Sequence, residues 1–127
     1  MRSLDSSALI AVIRGEQGAD RVTRHLRGGL LSAVNHAEVV GVLLRDGGAP
    51  RHVHLVLAKL PIELVDLDRE LAFRAGELEP ATRKAGLSLG DRACLAVAER
   101  YKVPALTGDR AWLKVRKELA VEIELIR

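Results

Sequence analysis

Five short apolar stretches alternate with longer segments of helical character, and a chain patterned in this way is directed towards an α/β sheet with crossover helices. Met1 to Asp5 reads as the first strand and leads through Ser6-Ser7 into an apolar helix, Ala8 to Ile13, closed at Arg14-Gly15. After Gly28-Gly29 come the strand Leu30 to Ser32 and the helix Val34 to Leu44, closed by Asp46-Gly47-Gly48. A helical segment, His52 to Lys59, precedes Pro61 and a third strand, Ile62 to Val65. Asp68 to Lys84 is helical but carries Pro80, which predicts a kink or split. Ser88 to Tyr101 follows as a helix and Val103 to Thr107 as the fourth strand. Val121 to Ile126 is the last, with Val121, Ile123 and Leu125 on one face. Strands joined by helices predict a mostly parallel sheet with right-handed connections and helices on both faces.

The length, 127 residues with 48% hydrophobic content, suits one domain, 1–127, that buries its own core. The longest apolar runs, Ala8 to Ile13 and Val39 to Leu44, fall far short of the roughly 20 residues of a membrane-spanning helix. The expectation is a protein without membrane association. Asp5 stands where a signal peptide would carry its apolar segment and Cys94 is the single cysteine, which points to a reducing cytoplasm. Lys and Arg number 20 against 17 Asp and Glu, a net charge of +3. That balance accommodates a polyanionic partner without demanding one.

Ligands of parallel α/β sheets sit beyond the C-terminal ends of the strands, so the residues able to meet are those closing strands and those opening the next helices. Asp5 closes the first strand, Glu38 lies one turn into the helix after the second, Asp91 opens the helix after Gly86, and Asp109 follows the fourth strand. Glu38 sits in Ala-Glu-Val-Val on a markedly apolar helix, unlike a residue of a solvated face. Carboxylates brought together repel, and burial raises the cost of charging them, so they must hold protons or a cation. Oxygen ligands without Cys or clustered His favour Mg²⁺ or Mn²⁺ over Zn²⁺. Such an ion beside a basic surface suits phosphodiester hydrolysis, in which the metal activates water and neutralises charge on the leaving oxygen. The sequence offers no Gly-x-Ser-x-Gly elbow and no glycine-rich phosphate loop.

Several of these residues also have plainer readings. Ser88-Leu89-Gly90-Asp91 has the form of a capping box, Asp5 could cap the helix it precedes, and Asp109 beside Arg110 could be a turn residue or a surface pair. His36 reads as an exposed or hydrogen-bonded helix residue, and His52 with His54 lacks further ligands nearby. Cys94, in the apolar run Ala93 to Ala98, reads as a small core residue. Arg92, Arg110 and Lys114 neighbour the acids and are candidates for contact with a phosphodiester backbone. Phe73, Tyr101 and Trp112 are the only aromatic residues, so base stacking cannot supply much affinity.

Four segments together carry a family resemblance: Leu-Asp-Ser-Ser-Ala-Leu, Ser-Ala-Val-Asn-His-Ala-Glu-Val-Val, Leu-Ser-Leu-Gly-Asp-Arg-Ala-Cys-Leu-Ala and Leu-Thr-Gly-Asp-Arg-Ala-Trp. In this order, over essentially the full length, they resemble the PIN domain nucleases, and among them the VapC-type toxins. The resemblance implies a PIN-like three-layer α/β/α fold with sheet order 3-2-1-4-5. It implies a Mg²⁺ or Mn²⁺ site made by Asp5, Glu38, Asp91 and Asp109, and endonucleolytic cleavage of RNA. It further implies structural or water-positioning hydroxyls at Ser7 and Thr107, which join Arg92 and Arg110, neighbours of the proposed ligands, as the candidate substrate contacts. A homodimer and a VapB-like antitoxin whose tail covers the active site complete the implied picture. The sequence departs from the family pattern in its first strand, where Arg2 and Ser3 should weaken burial, and at Gly90 and Gly108, where alanine is more frequent and glycine should only add local freedom.

Two functions follow as expectations. In the first, Asp5, Asp91 and Asp109 hold the metal and Glu38 orients the attacking water or shares the ligand role, leaving 5′-phosphate and 3′-hydroxyl ends. In the second, the chain is a catalytically inactive PIN-like module that binds RNA or an antitoxin. A phosphate-accepting receiver domain is rejected, because Ser6-Ser7 stands where a second acid is needed and no lysine closes the last strand.

Overall fold

The computed structural model describes residues 1–127, and its element order is strand and helix in alternation. β1 (Ser3–Leu4), β2 (Leu30–Ser32), β3 (Glu63–Val65), β4 (Ala105–Thr107) and β5 (Ile123–Leu125) form one sheet in the order β3-β2-β1-β4-β5. Every pairing is parallel, so the mostly parallel expectation resolves to an all-parallel sheet. The connections carry α1 (Ser6–Arg14), α2 (Ala19–Thr23), α3 (Ala33–Arg45), α4 (Pro50–Ala58), α5 (Arg69–Glu77), α6 (Glu79–Thr82) and α7 (Leu89–Tyr101).

Side chains alternate across the central strands and so feed two separate cores. Leu30 and Ala105 point into one, with Cys94, Leu95 and Val97 of α7 and Leu71 and Ala75 of α5. Leu4, Leu31 and Leu106 point into the other, with Ala8, Leu9 and Ala11 of α1, Val39 of α3, and Val53 and Leu57 of α4. Each fully buried leucine contributes about 1.5–3 kcal/mol relative to exposure. The second core explains why the short strands hold: Leu4, Leu31 and Leu106 are all completely enclosed.

The strand order reverses at β1, since the chain moves outward from β1 to β2 and β3 and then crosses to β4 on the other side. That reversal opens a crevice beyond the C-terminal ends of β1 and β4, where open parallel sheets bind ligands. Asp5 follows β1 and Asp109 follows β4 by two residues.

Local signals set the helices. Ser32 caps α3 by accepting from the Asn35 amide, Asp68 caps α5 by accepting from Leu71, and Ser88 with Asp91 forms a capping box on α7. The break expected at Pro80 occurs two residues earlier, at Leu78, because proline is tolerated in the first turn of the short α6. Two segments had no counterpart in the sequence reading: α2, and the 3-10 turns Arg110–Glu118 that seat Trp112 and Val115 in the first core.

The first strand is not weakened by its polar residues. Ser3 is fully buried and its Oγ donates to Cys94 O at 2.8 Å, while Arg2 pairs with Glu124 at 2.7 Å. Cys94 is the enclosed core residue expected, and burial pushes its thiol well above the ordinary range. His36 matches neither plain reading, since its Nδ1 is buried without a partner. No helix is long and apolar enough to cross a membrane.

Candidate active site

Asp5 is the centre of the crevice. It is 4% exposed, and its side chain does not cap α1; instead its Oδ2 accepts from Ser7 Oγ at 2.6 Å and from Thr107 Oγ1 at 2.8 Å. Each hydroxyl is oriented from behind by a backbone amide: Gly108 N donates to Ser7 Oγ at 2.9 Å and Asp109 N donates to Thr107 Oγ1 at 3.0 Å. A hydroxyl has one proton to give, and with its lone pair taken by an amide it is well placed to give that proton to Asp5. Burial nevertheless pushes Asp5 up to about 6, with the Asp91 charge adding to burial and the two hydroxyls opposing it.

Glu38 approaches from α3. Its Oε1 accepts from Ser6 Oγ at 2.5 Å and from Asn35 Nδ2 at 3.1 Å. Asn35 is fully buried and also donates to Ser6 Oγ at 3.1 Å and to Gly90 O at 3.0 Å, joining the starts of α1, α3 and α7. The Glu38 carboxylate occupies the space that a Cβ on residue 90 would need. Gly90 therefore does more than add freedom: it leaves room for the acid.

Asp91 Oδ2 accepts from the Ser88 amide at 2.8 Å, as the capping-box reading expected, and Asp109 Oδ1 accepts from Ala111 N at 2.9 Å as a turn residue, without the surface pair to Arg110. These bonds do not exclude the functional readings. Burial raises Asp91, the capping bonds oppose this, and the charges of Asp109 and Glu38 raise it further. Asp91 thus feels all three of the other acids, since it also raises Asp5.

The chemistry of these residues fits a hard divalent cation. All donors are oxygen, none of the four acids is paired with Lys, Arg or His, and each has one carboxylate oxygen outside the hydrogen bonds just described. The expected four-ligand site is not closed, however. No three Asp, Glu, His or Cys side chains are gathered as a ready metal cage, because Asp91 and Asp109 are turned onto their own helix starts.

The candidate substrate contacts are placed in different ways. Ser7 and Thr107 are committed to Asp5 and to the backbone, which makes them structural. Arg92 is turned to α5, where Nη1 donates to Ala75 O at 3.0 Å while its Nε is buried and unpartnered. Helical geometry separates it from its neighbour Asp91 by roughly 100° about the α7 axis. Arg110 is exposed beside Asp109 and donates to Arg127 O at 2.9 Å. Lys114 is exposed as well.

Ser6, Asn35 and Arg127 escaped the sequence reading. A signal existed for Asn35, an amide on an apolar helix three residues before Glu38 and three after the capping Ser32. None existed for Arg127, whose guanidinium reaches Gly108 only because β5 lies beside β4.

The sequence pattern of the PIN domain family matches residues 3–118. The chain belongs to the PIN domain family. Its sheet order is the one expected of that family on sequence grounds. Among solved structures, this PIN domain is similar to a toxin-antitoxin complex from Klebsiella pneumoniae, with a TM-score of 0.73 at 15% identity over 98% of this chain and 96% of that one. It is also similar to a DNA-bound VapBC from Salmonella typhimurium, with a TM-score of 0.70 at 14% identity over 98% and 96% of the two chains. A protein from Pyrobaculum aerophilum aligns with a TM-score of 0.64 at 21% identity over 97% and 87%. At these identities the likeness is one of fold. No curated protein sequence matches this PIN domain significantly.

Proposed function

We propose that this PIN domain is a Mg²⁺- or Mn²⁺-dependent endoribonuclease and the VapC-type toxin of a toxin-antitoxin pair, working in the cytoplasm. The observation that carries the nuclease reading is that the buried Asp5, at the switch point of the sheet, and the acids Glu38, Asp91 and Asp109 all lack cationic partners. Asp5, Asp91 and Asp109 would hold the ion, with Glu38 as a further ligand or as the acceptor that orients water. A divalent ion bound there supplies Lewis acidity to the phosphodiester and to the attacking water.

The chain's own groups prepare that site. Ser7 and Thr107 fix the Asp5 carboxylate and favour its charged form, so that one oxygen stays directed at the crevice. Asn35 and Ser6 fix Glu38 in the same way, and Glu38 Oε2 is left to accept a proton from water. Binding of a cation draws protons off Asp5 and Asp91, reversing the effect of burial on both.

The toxin reading is supported by the similar structures, which include VapBC complexes from Salmonella typhimurium and Rickettsia felis. A VapB-like antitoxin is accordingly the proposed protein partner, together with a second copy of this chain. An apolar depression of about 270 Å³ lined by His36, His54, Leu57, Leu60 and Ile62 lies apart from the four acids and gives such a partner a place to bind.

The test is cleavage of total cellular RNA by purified protein with EDTA, Mg²⁺ and Mn²⁺ in parallel, and the Asp91→Asn variant as control. Metal-dependent cutting that disappears in the variant is expected. RNA left intact with every metal, but still bound, would favour the inactive binding module, a reading supported by the open arrangement of the acids.

A further inference from the structure

We propose that Arg127 grips a phosphodiester group of the nucleic-acid strand at the rim of the acidic crevice, with Arg110 beside it, so that the strand is positioned by these two guanidinium groups. The inference rests on the nuclease reading and names the phosphate-positioning residue of that same site.

Arg127 is brought to the crevice by the sheet. Ile126 N donates to Thr107 O at 3.0 Å, which carries the chain past the C-terminal end of β4 and delivers residue 127 next to Gly108. The guanidinium lies across Gly108, with Nη2 at 3.0 Å and Cζ at 3.1 Å from where a Cβ on that residue would stand. Gly108 is the residue between Thr107 and Asp109, and its amide is bonded to Ser7 Oγ, which is bonded to Asp5. Gly108 is thus open for Arg127 as Gly90 is open for Glu38.

The placement is held by several contacts. Arg127 Nη1 donates to Gln17 O at 3.0 Å, and Arg110 Nη1 donates to Arg127 O at 2.9 Å. Gly18, at φ +94, lets the α1–α2 turn press against the Ile126 carbonyl, a conformation and an approach that a side chain would forbid.

The charge, by contrast, is unspent. Arg127 takes part in no ion pair, whereas Arg2, Arg14, Arg74, Arg83 and Arg100 do. An exposed guanidinium, anchored through one nitrogen to a neutral carbonyl and beside four acids proposed to hold a cation, has donors left that match a phosphate oxygen.

Binding of a short mixed-sequence single-stranded RNA, measured in EDTA over a range of salt, separates this role from catalysis. Arg127→Gln keeps an N–H for Gln17 O and removes the charge. It is expected to bind about fivefold to tenfold more weakly at low salt and to lower the slope of log K against log salt by about 0.7, the value of one single-strand phosphate contact. Arg127→Lys is expected to restore most of the slope. If Arg127 only fastened β5 to the α1–α2 turn, both variants would lose thermal stability while affinity and slope stayed as in the native protein, and the proposal would be overturned. RNA binding unchanged by Arg127→Gln in a wild type that binds sinks this inference alone. A wild type that cuts RNA with metal but binds none in EDTA sinks this inference alone, and one that does neither sinks the nuclease reading with it.

Discussion

The Glu38 carboxylate fills the place of a side chain at Gly90, so an acid of α3 and the first turn of α7 share one volume. Gly90→Ala must expel Glu38 from its bonds to Ser6 and Asn35. The helix gains up to about 1 kcal/mol from alanine, and the lost hydrogen bonds cost about 1–3 kcal/mol. Stability should therefore change little while kcat/KM on RNA falls about tenfold, a modest part of what misplacing a reacting group can cost. Adding Glu38→Asp, which shortens the displaced acid, should recover part of the loss. Full activity in Gly90→Ala would show that the seat of Glu38 is irrelevant to the reaction.

Asn35 is the fully buried joint between three helix starts, its two Nδ2 protons shared among Ser6 Oγ, Glu38 Oε1 and Gly90 O while its Oδ1 accepts from Ser32 Oγ. Asn35→Ala leaves the Gly90 carbonyl without that donor and Glu38 loosely held, and is expected to cost about 1–3 kcal/mol in urea unfolding. An Asn35→Ala protein as stable as the native one would mean that water replaces the amide without penalty.

How far the sequence revealed the site depended on how local each signal was. The placement of Asp5, Glu38, Asp91 and Asp109 at one edge of the sheet was legible because strand ends and helix starts set it whatever the detailed packing. The strand Leu30 to Ser32 and the capping box at Ser88 were legible for the same reason, being written in neighbouring residues. Arg92 was misread because adjacency in sequence on a helix is not adjacency in space, and its guanidinium went to Ala75 instead. Arg127 was invisible because its neighbour Gly108 is supplied by a strand pairing. The hydroxyls of Ser7 and Thr107 were legible, but not their amide partners at Gly108 and Asp109, which belong to the tertiary fold.

Asp5 should leave a signature in stability against pH. Its folded value is raised to about 6 from 3.8, so metal-free protein holds this proton more tightly than the unfolded chain does. The contribution is fully present below about pH 4 and is lost as pH rises through about 6, a difference of about 3 kcal/mol. In EDTA, Asp5→Asn is therefore expected to be more stable than the native protein at pH 7 and to lose that advantage at pH 4. Urea midpoints at the two pH values give the comparison. An advantage that persists unchanged at pH 4 would show that Asp5 is not the group titrating.

The same raised value makes metal binding a proton-coupled event. At pH 6 the Asp5 carboxyl is about half protonated, whereas a carboxylate ligand to Mg²⁺ or Mn²⁺ must be ionised. Burial shifts Asp91 in the same direction. Calorimetric titration of the protein with Mn²⁺ at pH 6, in two buffers of different ionisation enthalpy, should report release of about half a proton per ion or somewhat more. At pH 8 both carboxyls are already charged, and the release should vanish. Asp5→Asn should abolish both the tight binding and its buffer dependence, whereas Asn35→Ala should keep the buffer dependence with weaker affinity. Mn²⁺ binding that releases no proton at pH 6 would place the ion away from Asp5 and remove the metal role assigned to that residue.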